Sequence, residues 1–375
     1  MKSKAVIVPC VLLLAFTIFA SVTVKSEDAG TLFPAPFWNP DGSFAGYGYI
    51  NRSGQKVIAG QFKSARPFSE GLARVKGGND RYGYIDKTGK LAIPFSYSVA
   101  GDFSEGFAVA TSGDKSSYID KSGNFLFAPR SVNPKPFSEG MGCVAKYEGK
   151  PAWYVDRTGK TAVNKSDTFC SPFREGLALM ALGTGSVAAI DKSGNVVFTI
   201  KSEVGVYRPF SEGLALVQAK TDRGMMYGFV DKSGQFVIAP RYPDAKSFSE
   251  GLAAVSTGFA QGGASNWGYI DKTGAMVITP RFCSAESFHD GMAGVGVANP
   301  AVDSFIDKTG KVVITLTETA LGMEDEDYMD YKTGDLRQGF FFREGLAKIK
   351  LSNEKIAYIN KTGKIVWESE KALDF

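Results

Sequence analysis

Histidine is almost missing from this chain. One residue in 375, His289, carries an imidazole, which excludes a zinc site built from several histidines. Cysteine is scarce too, with four residues at positions 10, 143, 170 and 283. None stands in a CxxC pair, so no zinc knuckle or dithiol redox motif is present. The GxxxxGK[ST] phosphate loop and the GxSxG nucleophile elbow are absent as well. No segment sustains a helical period. Charge of one sign is not in excess either: 43 Lys and Arg face 39 Asp and Glu, a formal net of +4. What remains is rich in glycine (43), phenylalanine (28) and tyrosine (15), a mixture suited to short strands joined by tight turns.

The one long apolar run is at the start. Lys2 and Lys4 precede an apolar stretch from Ala5 to Ala20, followed by small and polar residues. This is the layout of a secretory signal peptide, with cleavage expected after Ala20 or after Ser26. Residues 5–24 are also long enough for an uncleaved anchor, but Pro9 and the short apolar core favour cleavage. Loss of residues 1–26 removes three lysines and no acid, which takes the net charge from +4 to +1. Such a balance leaves no electrostatic footprint for nucleic acid. Cys143, Cys170 and Cys283 then remain. A Cys143–Cys170 bridge and a set of buried thiols are both compatible with their spacing.

Two short motifs recur along the rest. One is a turn of the form D-K-[ST]-G, nine copies from Asn51–Gly54 to Asn360–Gly363. The other is F-S-E-G or a close variant, eight copies from Phe68–Gly71 to Phe342–Gly345. Within a unit the two glycines are usually 17 residues apart, whereas successive turns are 34 to 40 apart, with one gap of 53. Constant spacing inside units and variable spacing between them mark a repeat architecture. Asp or Asn, two polar residues and Gly between apolar alternations fit a type I turn with a left-handed Gly bulge. The flanks, such as Gly268-Tyr269-Ile270 and Phe236-Val237-Ile238, have strand chemistry. The segment after F-S-E-G supplies a third strand. Ala239–Phe248 contains Pro240 and reads as an irregular connection.

This pattern resembles the WG-repeat family over roughly residues 44–367. The carrier is [WY]-G-[YF]-[IV]-[DN]-x-[ST]-G followed by F-S-E-G-L-A. Only Trp267-Gly268 keeps the literal pair, while Tyr47-Gly48, Tyr82-Gly83 and Tyr227-Gly228 substitute Tyr, and Trp153 is followed by Tyr154. The resemblance implies all-β repeats with binding or surface roles in a bacterial exported protein, and no shared catalytic residues.

The expected fold is all-β: tandem three-stranded meanders forming a curved open array or a propeller-like ring. Residues 1–26 are the expected signal peptide, 27–43 an N-terminal linker or cap, and 44–375 the repeat domain; the piece from Phe33 could cap the first hairpin or complete a blade. An irregular acidic insertion lies near 315–341 and holds the Glu324–Asp327 cluster. That cluster lacks the spacing and glycine of an EF-hand and reads as a solvated loop. One acid occupies the same place in all eight units: Glu70, Glu105, Glu139, Glu175, Glu212, Glu250, Asp290 and Glu344. Eight equivalents suit a structural acceptor of backbone hydrogen bonds or a partner for a repeat Lys or Arg. A glycosidase needs one distinctive pair. His289 sits where other units have Ser or Arg, which weakens a His289–Asp290 dyad. The repeated aromatics suit a core better than a stacking strip. The sequence therefore points to a non-enzymatic protein, secreted or held in the periplasm or cell envelope. No catalytic residue, metal or cofactor is called for. Its expected partners are proteins or cell-envelope glycans, with no nucleic acid and no membrane span in the mature chain. A hydrolase using acids of the irregular last units is the alternative.

Overall fold

The computed structural model describes residues 30–146, 152–165, 170–181, 186–200, 204–259, 265–297, 303–316, 341–351 and 353–373. The expected signal peptide and the Glu324–Asp327 cluster lie outside them. The described chain forms nine small antiparallel sheets in sequence order, five of four strands and four of three. No helix is among the described residues.

The seventh sheet shows how the repeat folds. Its strands are Asp244–Ala245, Ala253–Phe259, Ser265–Ile270 and Met276–Phe282. The last two are joined by the Asp271 turn. Asp271 Oδ1 accepts the Thr273 N–H at 2.9 Å, the Thr273 hydroxyl at 2.6 Å and the Ala275 N–H at 3.0 Å. Those bonds, the side-chain hydroxyl first, hold its carboxyl below the ordinary value. Gly274 has φ 83°, so the expected bulge glycine is left-handed.

The connection after this hairpin is more ordered than the sequence suggested. Pro280 lies inside the outer edge strand, not outside it. The register runs from Tyr269↔Ile278 to Trp267↔Phe282, so four residues on one strand oppose two on the other. Pro280 sits in that bulge, where no ladder hydrogen bond is lost. The bulge presses on the neighbouring strand: a Cβ at Gly268 would meet Ile278 O at 2.5 Å and Pro280 N at 2.8 Å. This close approach accounts for the glycine in the Trp-Gly and Tyr-Gly pairs. The chain then adds a strand of two to four residues before F-S-E-G, which makes five of the expected three-stranded units four-stranded.

The core lies between sheets. Met276–Phe282 buries Ile278 and Phe282 and exposes Met276 and Val277. Ile278 joins Tyr269, Phe288 and Val295 in one cluster spanning the seventh and eighth sheets. Tyr269 packs on Phe288 with ring centroids 5.0 Å apart, and its hydroxyl donates to Glu286 O at 2.8 Å. The same pair recurs as Tyr49–Phe68, Tyr84–Phe103 and Tyr154–Phe173.

The array closes on itself. The sequence leaves residues 27–43 as a linker or cap, or as a piece that completes a blade; Leu32–Trp38 is the first strand of the first sheet. Phe33, Ala35 and Phe37 from it form one cluster with Leu346 and Tyr358 of the ninth sheet. The Tyr358 hydroxyl donates to Pro34 O at 2.8 Å, repeating across the seam the bond made by Tyr269. Lys371 Nζ donates to Gly42 O at 2.8 Å. Of the two architectures consistent with the sequence, these contacts select the ring.

Candidate functional site

Each F-S-E-G motif is a tight turn whose two central residues are both left-handed. In the seventh sheet, Glu250 has φ 53° and Gly251 φ 90°. Ser249 and Leu252 close the turn with reciprocal backbone bonds of 2.9 and 3.2 Å. This is type I′ geometry, which usually takes Asn or Gly at the first position. A glutamate there is strained by about 1 kcal/mol.

The compensation comes from the next unit. At seven junctions the acid accepts the N–H of the glycine in the following F-S-E-G turn, at 2.7 to 3.0 Å. In five of these the lysine of the D-K-[ST]-G turn in the next sheet also reaches the carboxylate, at 3.2 to 3.3 Å. The acid position thus holds backbone N–H groups and a repeat lysine, as the sequence indicated. The partner is the neighbouring sheet, not the acid's own turn. Burial alone would push the Glu70 and Glu139 carboxyls up. The Gly106 and Gly176 N–H bonds, with Lys121 and Lys192, outweigh it and hold both below 4.5. The motif serine ties the same junction, as Ser249 Oγ donates to Phe288 O at 2.6 Å.

His289 replaces that serine in the eighth sheet. Its ring lies 4.6 Å from the Phe341 ring. Burial lowers its pKa from 6.5 despite Glu250, Asp290 and Glu286 nearby. Its neighbour Asp290 is engaged with the Gly345 N–H at 2.7 Å. Cys143 and Cys170 form a disulfide between the fourth and fifth sheets, and Cys283 is a free, partly exposed thiol. Among the described residues no group of three or more His, Cys, Asp or Glu is placed to hold a metal.

At the seam, the first, second and ninth sheets surround a cavity of about 960 Å³. Seven lysines and arginines line it against two glutamates, Glu70 and Glu344. Aromatic walls come from Trp38, Phe44, Tyr47 and Tyr82. Arg66 lines it as well, and its Nε is buried with no hydrogen-bond partner among the described residues. Lys63 and Lys76 share Asp80, at 2.8 and 3.4 Å. No sequence signal marked this cavity, because the seam joins residues more than 300 positions apart, such as Pro34 and Tyr358.

No curated protein matches the sequence. Among solved structures, a eukaryotic initiation factor aligns with a TM-score of 0.58 at 12% identity, covering 89% of this chain and 95% of that one. At that identity the likeness concerns the fold. The computationally designed Ika8 protein (TM-score 0.46, 13% identity, 81% of this chain and 95% of that one) and BamB from Moraxella catarrhalis (0.42, 12%, 80% and 94%) are more distant. The family model described as WG containing repeat matches residues 47–79, 82–115, 189–220, 227–258 and 267–299. Four of the matched stretches start at the Tyr-Gly or Trp-Gly pair, the one from residue 189 starts without it, and all five include F-S-E-G or its variant and the strand after it. The chain carries WG-containing repeats at these five places.

Proposed function

We propose that this protein is an exported, non-enzymatic interaction module whose ring presents a binding cavity to a protein or cell-envelope glycan. The observation that carries this reading is the seam cavity, large enough for several side chains and lined by cations and aromatic rings. Pockets that mix apolar walls with a few convergent polar groups are the usual places for ligands. The repeated acids support a scaffold role, because each is engaged by its neighbour. The Cys143–Cys170 disulfide supports an oxidising compartment outside the cytosol. A repeat ring also lets loops vary while the scaffold is kept.

A pull-down from envelope extract together with a glycan array tests the proposal. Specific binding without turnover is expected, reduced when Arg66 is replaced by Gln. Turnover of a bound glycan, abolished by one acid substitution, would overturn it in favour of a hydrolase.

A further inference from the structure

The junctions around the ring are not all alike. The pairs Phe33↔Ile50 and Ala73↔Ile85 are equivalent, so Gly30 stands where the second sheet has Glu70. The rest of that junction is built as elsewhere. Lys87 donates to Gly30 O, as Lys121 donates to Glu70 O. The receiving turn is present, with Glu70 at φ 51° and Gly71 at φ 90°. At seven other junctions the equivalent glycine N–H binds a carboxylate. At the seam, Glu344 instead takes the Thr31 hydroxyl and lies 3.6 Å from Arg52. Among the described residues, no carboxylate accepts from Gly71. Gly71 and Lys87 both line the seam cavity.

We propose that this junction is a binding site for an acidic peptide, whose carboxylate takes the Gly71 N–H and Lys87 in the place of the glutamate that Gly30 lacks. The proposal rests on the reading of the protein as an interaction module and names its ligand class. Charge favours it, since cations outnumber acids seven to two in the cavity. A backbone N–H and an ammonium lining the same cavity offer the charge-assisted bonds that a carboxylate satisfies best. The occupant at the other junctions is itself polypeptide, in five of the seven a Ser-Glu pair whose serine donates to the next Phe carbonyl. Here the corresponding acceptor is Phe68 O, reached by Arg343 Nη2 at 3.3 Å. The exposed Phe44, with Trp38 and Tyr82, gives apolar surface for residues beside the acid. Addition of a peptide as an extra strand is disfavoured. Pro34 and Pro36 lie in the strand at the cavity wall and have no N–H to offer.

The test titrates the purified protein with a fluorescein-labelled peptide containing Phe-Ser-Glu-Gly, the same peptide with Gln for Glu, and an oligoglucuronate. The acidic peptide is expected to bind, with the Gln peptide about tenfold weaker. Lys87→Gln should weaken the acidic peptide by a similar factor, while Lys308→Gln, at a filled junction, leaves it unchanged. Gly30→Glu should abolish binding and raise the melting temperature. Equal affinity for the two peptides, or full binding by Gly30→Glu, would overturn the proposal. So would binding of the oligoglucuronate alone. Tighter binding after joint Glu27→Gln and Asp28→Asn substitution would assign the position to the chain's own preceding residues and also overturn it. A partner captured from extract whose binding survives Gly30→Glu leaves the general function standing and removes this site alone.

Discussion

Replacing Glu250 separates the two costs built into the repeat. The side chain accepts the Gly291 N–H at 2.9 Å and pairs with Lys308 at 3.2 Å, with side-chain exposures of 31% and 46%. Glutamine keeps an oxygen for Gly291 but loses the charge. The change from a charge-assisted to a neutral hydrogen bond costs about 1 kcal/mol. Loss of the half-exposed pair adds at most about 0.5 kcal/mol. Together these lower the melting temperature by roughly 1–2 °C in a chain of this size. Alanine removes the acceptor altogether and costs about 2–3 kcal/mol. Glycine removes it too but relieves the left-handed strain at φ 53°, which returns about 1 kcal/mol. The expected order of stability is Glu, Gln, Gly, Ala, read by thermal unfolding followed by circular dichroism. A melt unchanged by Glu250→Gln, or an alanine variant more stable than the glycine one, would refute this account of the junction.

Other consequences follow from the same geometry. Gly268→Ala should destabilise by about 2 kcal/mol or more, since its Cβ would meet Ile278 O at 2.5 Å and the bulge must move; chemical denaturation measures this. Reduction of the Cys143–Cys170 disulfide should cost about 2–4 kcal/mol, seen as a lower melting temperature in reductant that Cys143→Ser reproduces. The Glu70 and Glu139 carboxyls are held below 4.5 in the folded state, so the unfolded chain binds more protons as the pH falls. Their contribution is therefore complete above about pH 4.5 and is lost as the pH drops through their lower folded values. A melting temperature flat from pH 7 down to pH 3 would contradict that.

Much of the fold was legible because each unit obeys local turn chemistry. Asp271, Thr273 and Gly274 specify a hairpin through side-chain bonds that span four residues. The regular offset between the turn and F-S-E-G glycines similarly announced a module. What the sequence hid depends on neighbours. Glutamate is a poor choice for a type I′ turn, so its left-handed backbone is intelligible only once the next sheet's N–H groups are in place. Pro240 argued against a central strand, and only the two-against-four register, from Phe229↔Ile238 to Tyr227↔Tyr242, shows how an edge strand accommodates it. The fourth strands are two to four residues long, too short for any pattern to reveal. The seam and its cavity arise from contacts between the two ends of the repeat array. The meaning of Gly30 appears only when Phe33↔Ile50 is set beside Ala73↔Ile85.

Closure of the ring is the claim on which the cavity and its proposed ligand depend. A Cβ at Gly54 would lie 2.0 Å from Val366 O, so the first hairpin turn abuts the last strand. Spin labels at Gln55 and Lys364, both exposed, in a Cys283→Ser background, report on this directly by pulsed electron resonance. The ring predicts a single short and narrow distance. A broad distribution at distances comparable to the length of the whole array would show that the sheets do not close, and would contradict the account.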